Sequence, residues 1–164
     1  MKTLFLLRHA KAENPASGTT DLKRALNERG RGEAQAVGTF LKNQSAKFDL
    51  VLCSPAARAK ETTELVLAAA EFTASVRYDQ RIYEAGPLRL LEVISEIEEE
   101  RSAVLVVGHN PGMEELLHLL TARAELLATG TLTKIDLDVD NWCSLTQDKA
   151  VLDWIVKPKE LATS

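Results

Sequence analysis

Apolar residues along the chain fall into two kinds of run. Thr3–Leu7, Leu50–Cys53 and Val104–Val107 are short and nearly unbroken, which predicts strands covered on both faces. Leu132–Leu137 and Ala150–Val156 read as two further strands. Between these runs apolar positions recur at i, i+3, i+4, i+7, as Ala34/Val37/Gly38/Leu41, Thr62/Leu65/Val66/Ala69 and Met113/Leu116/Leu117/Leu120, the period of an amphipathic helix. Leu88–Glu99 fits another helix, with Leu90, Leu91, Ile94 and Ile97 inward and an acidic outer end. Strands alternating with helices imply an α/β fold, a three-layer α/β/α sandwich around a mostly parallel central sheet. No repeat, low-complexity stretch or linker interrupts the 164 residues, so a single domain over residues 1–164 is expected. The tail 157–164 is expected to be loose.

In open α/β sheets ligands bind beyond the carboxyl ends of the strands. Three polar clusters fall there. The first strand runs into Arg8-His9, the second into Ser54-Pro55-Ala56-Ala57-Arg58, the third into Gly108-His109-Asn110-Pro111-Gly112. Ser54 and Asn110 are good N-caps, each followed by proline in the N1 place, so both mark a strand feeding a helix start. Helix N-termini favour anions, and Arg58 belongs in the first turn of its helix. Taken singly, each cluster also reads as an ordinary strand end or capped turn, with Gly108 there for backbone reasons. Together, two histidines, two arginines and two helix starts at one sheet edge suit a compact dianion such as a phosphoryl group, which arginine binds bidentately. His118, mid-helix and without polar company, reads as a partly buried helix residue with no role.

Charge and composition narrow the partners. The net charge of −4 argues against a nucleic-acid binder. No segment approaches the roughly 20 apolar residues of a membrane span, and Leu4–Leu7 is too short for a signal-peptide core, so a cytoplasmic protein is expected. Cys53 and Cys143 lack metal-ligand spacing and read as reduced thiols. No exposed apolar stripe stands out, and a monomer is expected.

The ordered set of motifs resembles the histidine phosphatase superfamily, the phosphoglycerate-mutase-like fold. Leu7-Arg8-His9-Ala10 resembles its RHG motif with Ala10 in the glycine place; Asp21-Leu22-Lys23-Arg24-Ala25-Leu26-Asn27-Glu28-Arg29-Gly30 resembles its entry to the first helix; Ser54–Thr62 resembles SPxxRxxQT with Glu61 in the glutamine place; and Gly108-His109 resembles the late GH motif. The RHAKA start and the short chain are similar to the SixA-type phosphohistidine phosphatase branch. The resemblance implies a metal- and cofactor-independent phosphatase with His9 as nucleophile and Arg8, Arg58 and His109 around the phosphate. Glu84 lies where longer members often place a general acid; its alternative is a solvated loop carboxylate. Asp21 and Arg24 are either structural or part of the rim.

The chemistry supports the same arrangement. Attack on phosphorus needs a neutral imidazole, and neighbouring arginines disfavour imidazolium. An alkoxide leaving group wants a proton donor, whereas the imidazole of phosphohistidine leaves readily. Three readings stand: a phosphatase acting on phosphohistidine of a phosphorylated protein, a phosphatase of small phosphorylated metabolites such as sugar phosphates or nucleotides, and a phosphate-binding module without turnover. A binding module has no use for a nucleophilic His9. A mutase calls for an enclosed site that excludes water.

Overall fold

The structure is a computed structural model describing residues 1–161. Six strands form one mixed sheet in the order β3-β2-β4-β1-β5-β6. They are β1 (Lys2–Arg8), β2 (Leu50–Cys53), β3 (Ser75–Tyr78), β4 (Ala103–Gly108), β5 (Leu132–Leu137) and β6 (Ala150–Val156). β1, β2, β3 and β4 pair in parallel, while β5 pairs antiparallel with both β1 and β6. The sheet is thus mostly parallel, as the sequence predicts.

The unbroken apolar strands divide their residues between two cores because successive side chains point to opposite faces. Leu4, Leu6, Leu50, Leu52, Val104 and Val106 join one cluster; Phe5, Leu7, Val51, Cys53, Leu105 and Val107 join the other. α3 (Pro87–Ser95) and α4 (Gly112–Thr121) cover the first face, and α1 (Glu28–Asn43) and α2 (Ala57–Ala70) the second. The helical periodicities hold: Val37, Leu41, Val66, Met113, Leu116, Leu117 and Leu120 are all buried. Each such leucine contributes roughly 2 kcal/mol by leaving water. α1 is capped by Asn27, whose Oδ1 accepts from Gly30 N–H at 2.8 Å.

Several expectations are corrected. β3 carries no apolar run; Ser75, Arg77 and Tyr78 of this edge strand are exposed, so it left no pattern to read. The fourth predicted helix stops at Ser95, and Ile97 is buried beyond its end. The tail is not loose where it is described: Pro158–Leu161 forms a short helix, α5, against α1, with Pro158 buried; residues 162–164 lie outside the described residues. His118 is exposed rather than partly buried. Neither proline sits at N1. α2 begins at Ala57 with Ala56 as its extended N-cap, and α4 begins at Gly112 after Pro111. At Gly108 a Cβ would lie 3.1 Å from Met113 Sδ, a tight contact that a shift of that side chain would have to relieve.

Candidate active site

β2, β4 and β1 are neighbours in the sheet, and their parallel register places Arg8 opposite Gly108. The three polar clusters therefore leave the sheet side by side. His9 N–H donates to the Gly108 carbonyl at 3.0 Å, and Ser54 N–H donates to the Val107 carbonyl at 3.1 Å. These bonds continue the ladder past the strand ends and fix where each cluster begins.

His9 is 7% exposed. Its Nδ1 lies 2.7 Å from the Ala10 carbonyl. A carbonyl only accepts, so the ring proton resides on Nδ1 and the lone pair on Nε2. The His9 pKa is pushed down to about 3, first by burial and then by the positive fields of His109, Arg58 and Arg8. Burial, more than the two arginines, holds it neutral. The His109 ring stands 5.1 Å away, centroid to centroid. Its pKa falls to about 4, again first through burial and then through Arg58. Its Nε2 is 2.7 Å from Ser54 Oγ. Ser54 Oγ already accepts from Ala56 N–H at 3.2 Å, so donating its own proton to His109 Nε2 uses both roles. With Ser54 donating to Nε2, the ring proton of His109 is on Nδ1, an atom buried without a partner in the chain.

Arg58, in the first turn of α2, is 5% exposed. Its guanidinium donates to the Asp21 carbonyl at 2.7 Å and to Asp21 Oδ2 at 3.0 Å. The same carboxylate accepts from Arg24 at 3.0 Å and from the Tyr83 hydroxyl at 2.5 Å. These donors, Tyr83 foremost, hold Asp21 well below the usual carboxylate range, and the Tyr83 phenol is pushed up to about 12. The Tyr83 ring stands edge-on to His109 at 5.6 Å and 85°. Asp21 thus joins the arginine wall of the site to the histidine wall.

On the opposite side Arg8 donates to the Leu127 carbonyl at 2.9 Å, and the Asn110 amide donates to the same oxygen at 2.8 Å. Asn110 is therefore a tie between the α4 start and the 122–130 loop, and not a helix cap. Thr62 links the remaining pieces: its hydroxyl accepts from Ala10 N–H at 3.0 Å and donates to the Arg58 carbonyl at 2.7 Å.

Asp21, Arg58, Glu84 and His109 line one cavity of about 420 Å³ together with Ala85, Gly86, Asn110 and Pro111. Glu84, exposed and at φ 53°, is in the left-handed region, which is uncommon for a residue with a side chain. Its loop is seated directly on α4: a Cβ on Gly112 would lie 2.0 Å from the Ala85 carbonyl oxygen. All five candidate residues, Arg8, His9, Arg58, Glu84 and His109, are thus brought to one end of the sheet. Tyr83, Thr62 and Leu127 complete the site, and of these only Thr62 stands inside a motif legible in the sequence. Cys53 lies directly before Ser54, but burial pushes its thiol up to about 12, so it behaves as an inert core residue. Among the described residues no group of three or more His, Cys, Asp or Glu could hold a metal ion.

The profile of the histidine phosphatase superfamily (branch 1) matches residues 4–88. The chain belongs to this superfamily. It is a phosphatase, as its relatives indicate. An uncharacterized protein of Mycobacterium tuberculosis (strain ATCC 25618 / H37Rv) is 37% identical over 116 residues, 71% of this chain and 70% of that protein. The phosphohistidine phosphatase SixA of Escherichia coli (strain K12) is 26% identical over 161 residues, 90% of this chain and 99% of that one. A solved structure from Nakamurella multipartitia, assigned as a phosphohistidine phosphatase SixA, superposes with a TM-score of 0.83 at 30% identity, covering 96% of each chain. Among the described residues no helix is long and apolar enough to cross a membrane.

Proposed function

We propose that this histidine phosphatase removes phosphate from phosphohistidine on a protein through a phosphorylated His9. The observation that carries the reading is the His9 tautomer: Nδ1–H held by the Ala10 carbonyl leaves the Nε2 lone pair free beside two arginines and a second histidine. The two relatives named as phosphohistidine phosphatases support the choice of substrate.

The Nε2 lone pair attacks phosphorus while the phosphorus–nitrogen bond of the substrate breaks. Its electron pair leaves with the substrate imidazole, which is protonated at its other nitrogen and departs neutral. Arg8, Arg58 and the His109 Nδ1–H bind the phosphoryl oxygens, and phosphoryl transfer depends mainly on such positioning and charge stabilisation. As His9 becomes a phosphorylated imidazolium, its bond to the Ala10 carbonyl becomes charge-assisted and strengthens. Water then attacks phosphorus, the electron pair returns to Nε2, and both protons of the water leave with dihydrogen phosphate. No step needs a metal. One chain supplies every group, so a monomer suffices.

A second reading, hydrolysis of small phosphoesters, is favoured by one observation. Glu84 shares the cavity with Arg58 and His109, where a carboxylic acid could protonate an alkoxide.

The test is a rate comparison in EDTA between a histidine-phosphorylated phosphocarrier domain and a panel of sugar phosphates and nucleotides. Fast release from phosphohistidine, abolished by His9→Ala and indifferent to Glu84→Gln, is the expected result. Faster phosphoester turnover that falls with Glu84→Gln would assign the enzyme to small metabolites. Near-normal rates in His9→Ala would remove the nucleophile.

A further inference from the structure

Beside the phosphate site lies a second cavity, of about 570 Å³, formed between Pro87, the outer face of α4 and the 122–130 loop. Its floor is apolar, with Pro87, Leu119 and Leu126. Leu126 is 81% exposed. Its rim carries Glu114, Glu115 and Glu125. Glu125 is 3.4 Å from Arg123, and Glu114 accepts from Leu127 N–H at 3.4 Å. The Glu115 carboxylate has no partner among the described residues. Arg123 faces Glu125 and Arg8 lies in the field of Glu114, which leaves Glu115 as the unpaired negative charge of the rim.

The two cavities share a wall. Gly86 lines the first and Pro87 the second, and Pro111, directly before α4, lines the first while Glu114, Glu115, His118 and Leu119 of α4 line the second. The loop that carries Leu126 also presents the Leu127 carbonyl to Arg8 and Asn110. An object seated in the groove therefore lies alongside the mouth of the phosphate site, where Glu84 adds a further exposed carboxylate.

We propose that this groove docks the phosphorylated protein substrate, by receiving an apolar ridge flanked by lysines or arginines next to the phosphorylated side chain. The proposal rests on the protein-phosphohistidine reading above and adds the surface that recognises the protein part. Charge complementarity identifies the occupant. The acidic rim repels an anionic membrane surface. A second copy of this chain meeting the groove face to face would oppose carboxylates to carboxylates. A basic, partly apolar protein face satisfies both the floor and the rim.

The test measures kcat and KM on the histidine-phosphorylated phosphocarrier domain and, in parallel, hydrolysis of free phosphohistidine. Leu126→Asp and Glu115→Lys each change a solvent-facing side chain outside the phosphate site. Each is expected to raise KM for the phosphoprotein tenfold or more while kcat and free phosphohistidine hydrolysis stay within twofold. Unchanged KM in both variants, or equal losses on both substrates, would overturn the docking surface while leaving the phosphohistidine reading intact. So would a wild-type dimer in sedimentation that Leu126→Asp dissociates. A wild-type enzyme idle on both phosphohistidine substrates but active on phosphoesters would instead overturn the underlying reading, and the docking surface with it.

Discussion

Arg58 shows how a single side chain is made ready for an anion. Burying a guanidinium costs least when its donors find acceptors; Asp21 supplies a carbonyl oxygen to one terminal nitrogen of Arg58 and a carboxylate oxygen to the other, while the buried Nε has no partner in the chain. The carboxylate stays ionised because Tyr83 and Arg24 also donate to it. Arg58→Ala removes an electrostatic clamp on the developing charge, and is expected to lower kcat about 10²–10³-fold, or about 3–4 kcal/mol. Steady-state kinetics on the phosphoprotein decide it; a loss of less than about threefold, ~0.65 kcal/mol, would place Arg58 outside the pocket. At this scale the sequence was informative where chemistry is local. Arg8 ends β1, His9 and His109 follow directly on β1 and β4, and Arg58 stands in the first turn of the helix after β2, so their meeting could be inferred from the fold class. The supports could not. Tyr83 meets Asp21 across 62 positions and Arg8 meets Leu127 across 119, and neither pair leaves a periodic signal.

Among the elements, α2 is joined to the end of β1 through Thr62. Its hydroxyl holds Ala10 N–H on one side and the Arg58 carbonyl on the other, so the strand that leads into His9 and the helix that carries Arg58 share a hinge pin. Thr62→Val keeps the shape and strands a buried N–H, a loss of about 1–3 kcal/mol. Urea unfolding should show this destabilisation with a fall in kcat, and Thr62→Ser should restore both. Equal stability in the valine variant would make the bond incidental. Strand and helix identities were readable because β1, β2 and β4 are apolar on both faces and α1, α2 and α4 have one apolar stripe. Strand direction was less so: β5 and β6 alternate as antiparallel strands do, yet nothing local states which way they run. The capping expectation failed for a physical reason. Ser54 Oγ accepts from Ala56 N–H in the turn before α2 and meets His109, and Asn110 donates to the Leu127 carbonyl, one residue further from α4 than its N-cap Pro111.

For the whole molecule, the two buried histidines tie stability to pH. Their folded values, about 3 and about 4, lie below the ordinary value of roughly 6.5. Above that value neither the folded nor the unfolded chain protonates them, and their stabilising effect is complete. As pH falls below it, the unfolded chain takes up protons that the fold excludes, and stability declines until about pH 4 for His109 and about pH 3 for His9. The slope approaches about 1.4 kcal/mol per pH unit for each histidine. Urea midpoints measured from pH 7 to 4.5 should fall accordingly, and more shallowly in His9→Ala and in His109→Ala. An unchanged slope in both variants would mean that neither ring is held neutral by the fold.

The position of β1 between β4 and β5 has a consequence for how function is lost. An interior strand hydrogen-bonded on both sides opens only when the domain opens, so its amides belong to the slowest-exchanging set. His9 follows the last residue of that strand and continues its ladder to Gly108. No partial fluctuation carries His9 away while the remainder stays folded. Damage elsewhere in the core therefore reduces how many molecules are intact without slowing those that are, and titrating active sites would separate that kind of defect from one in the chemistry.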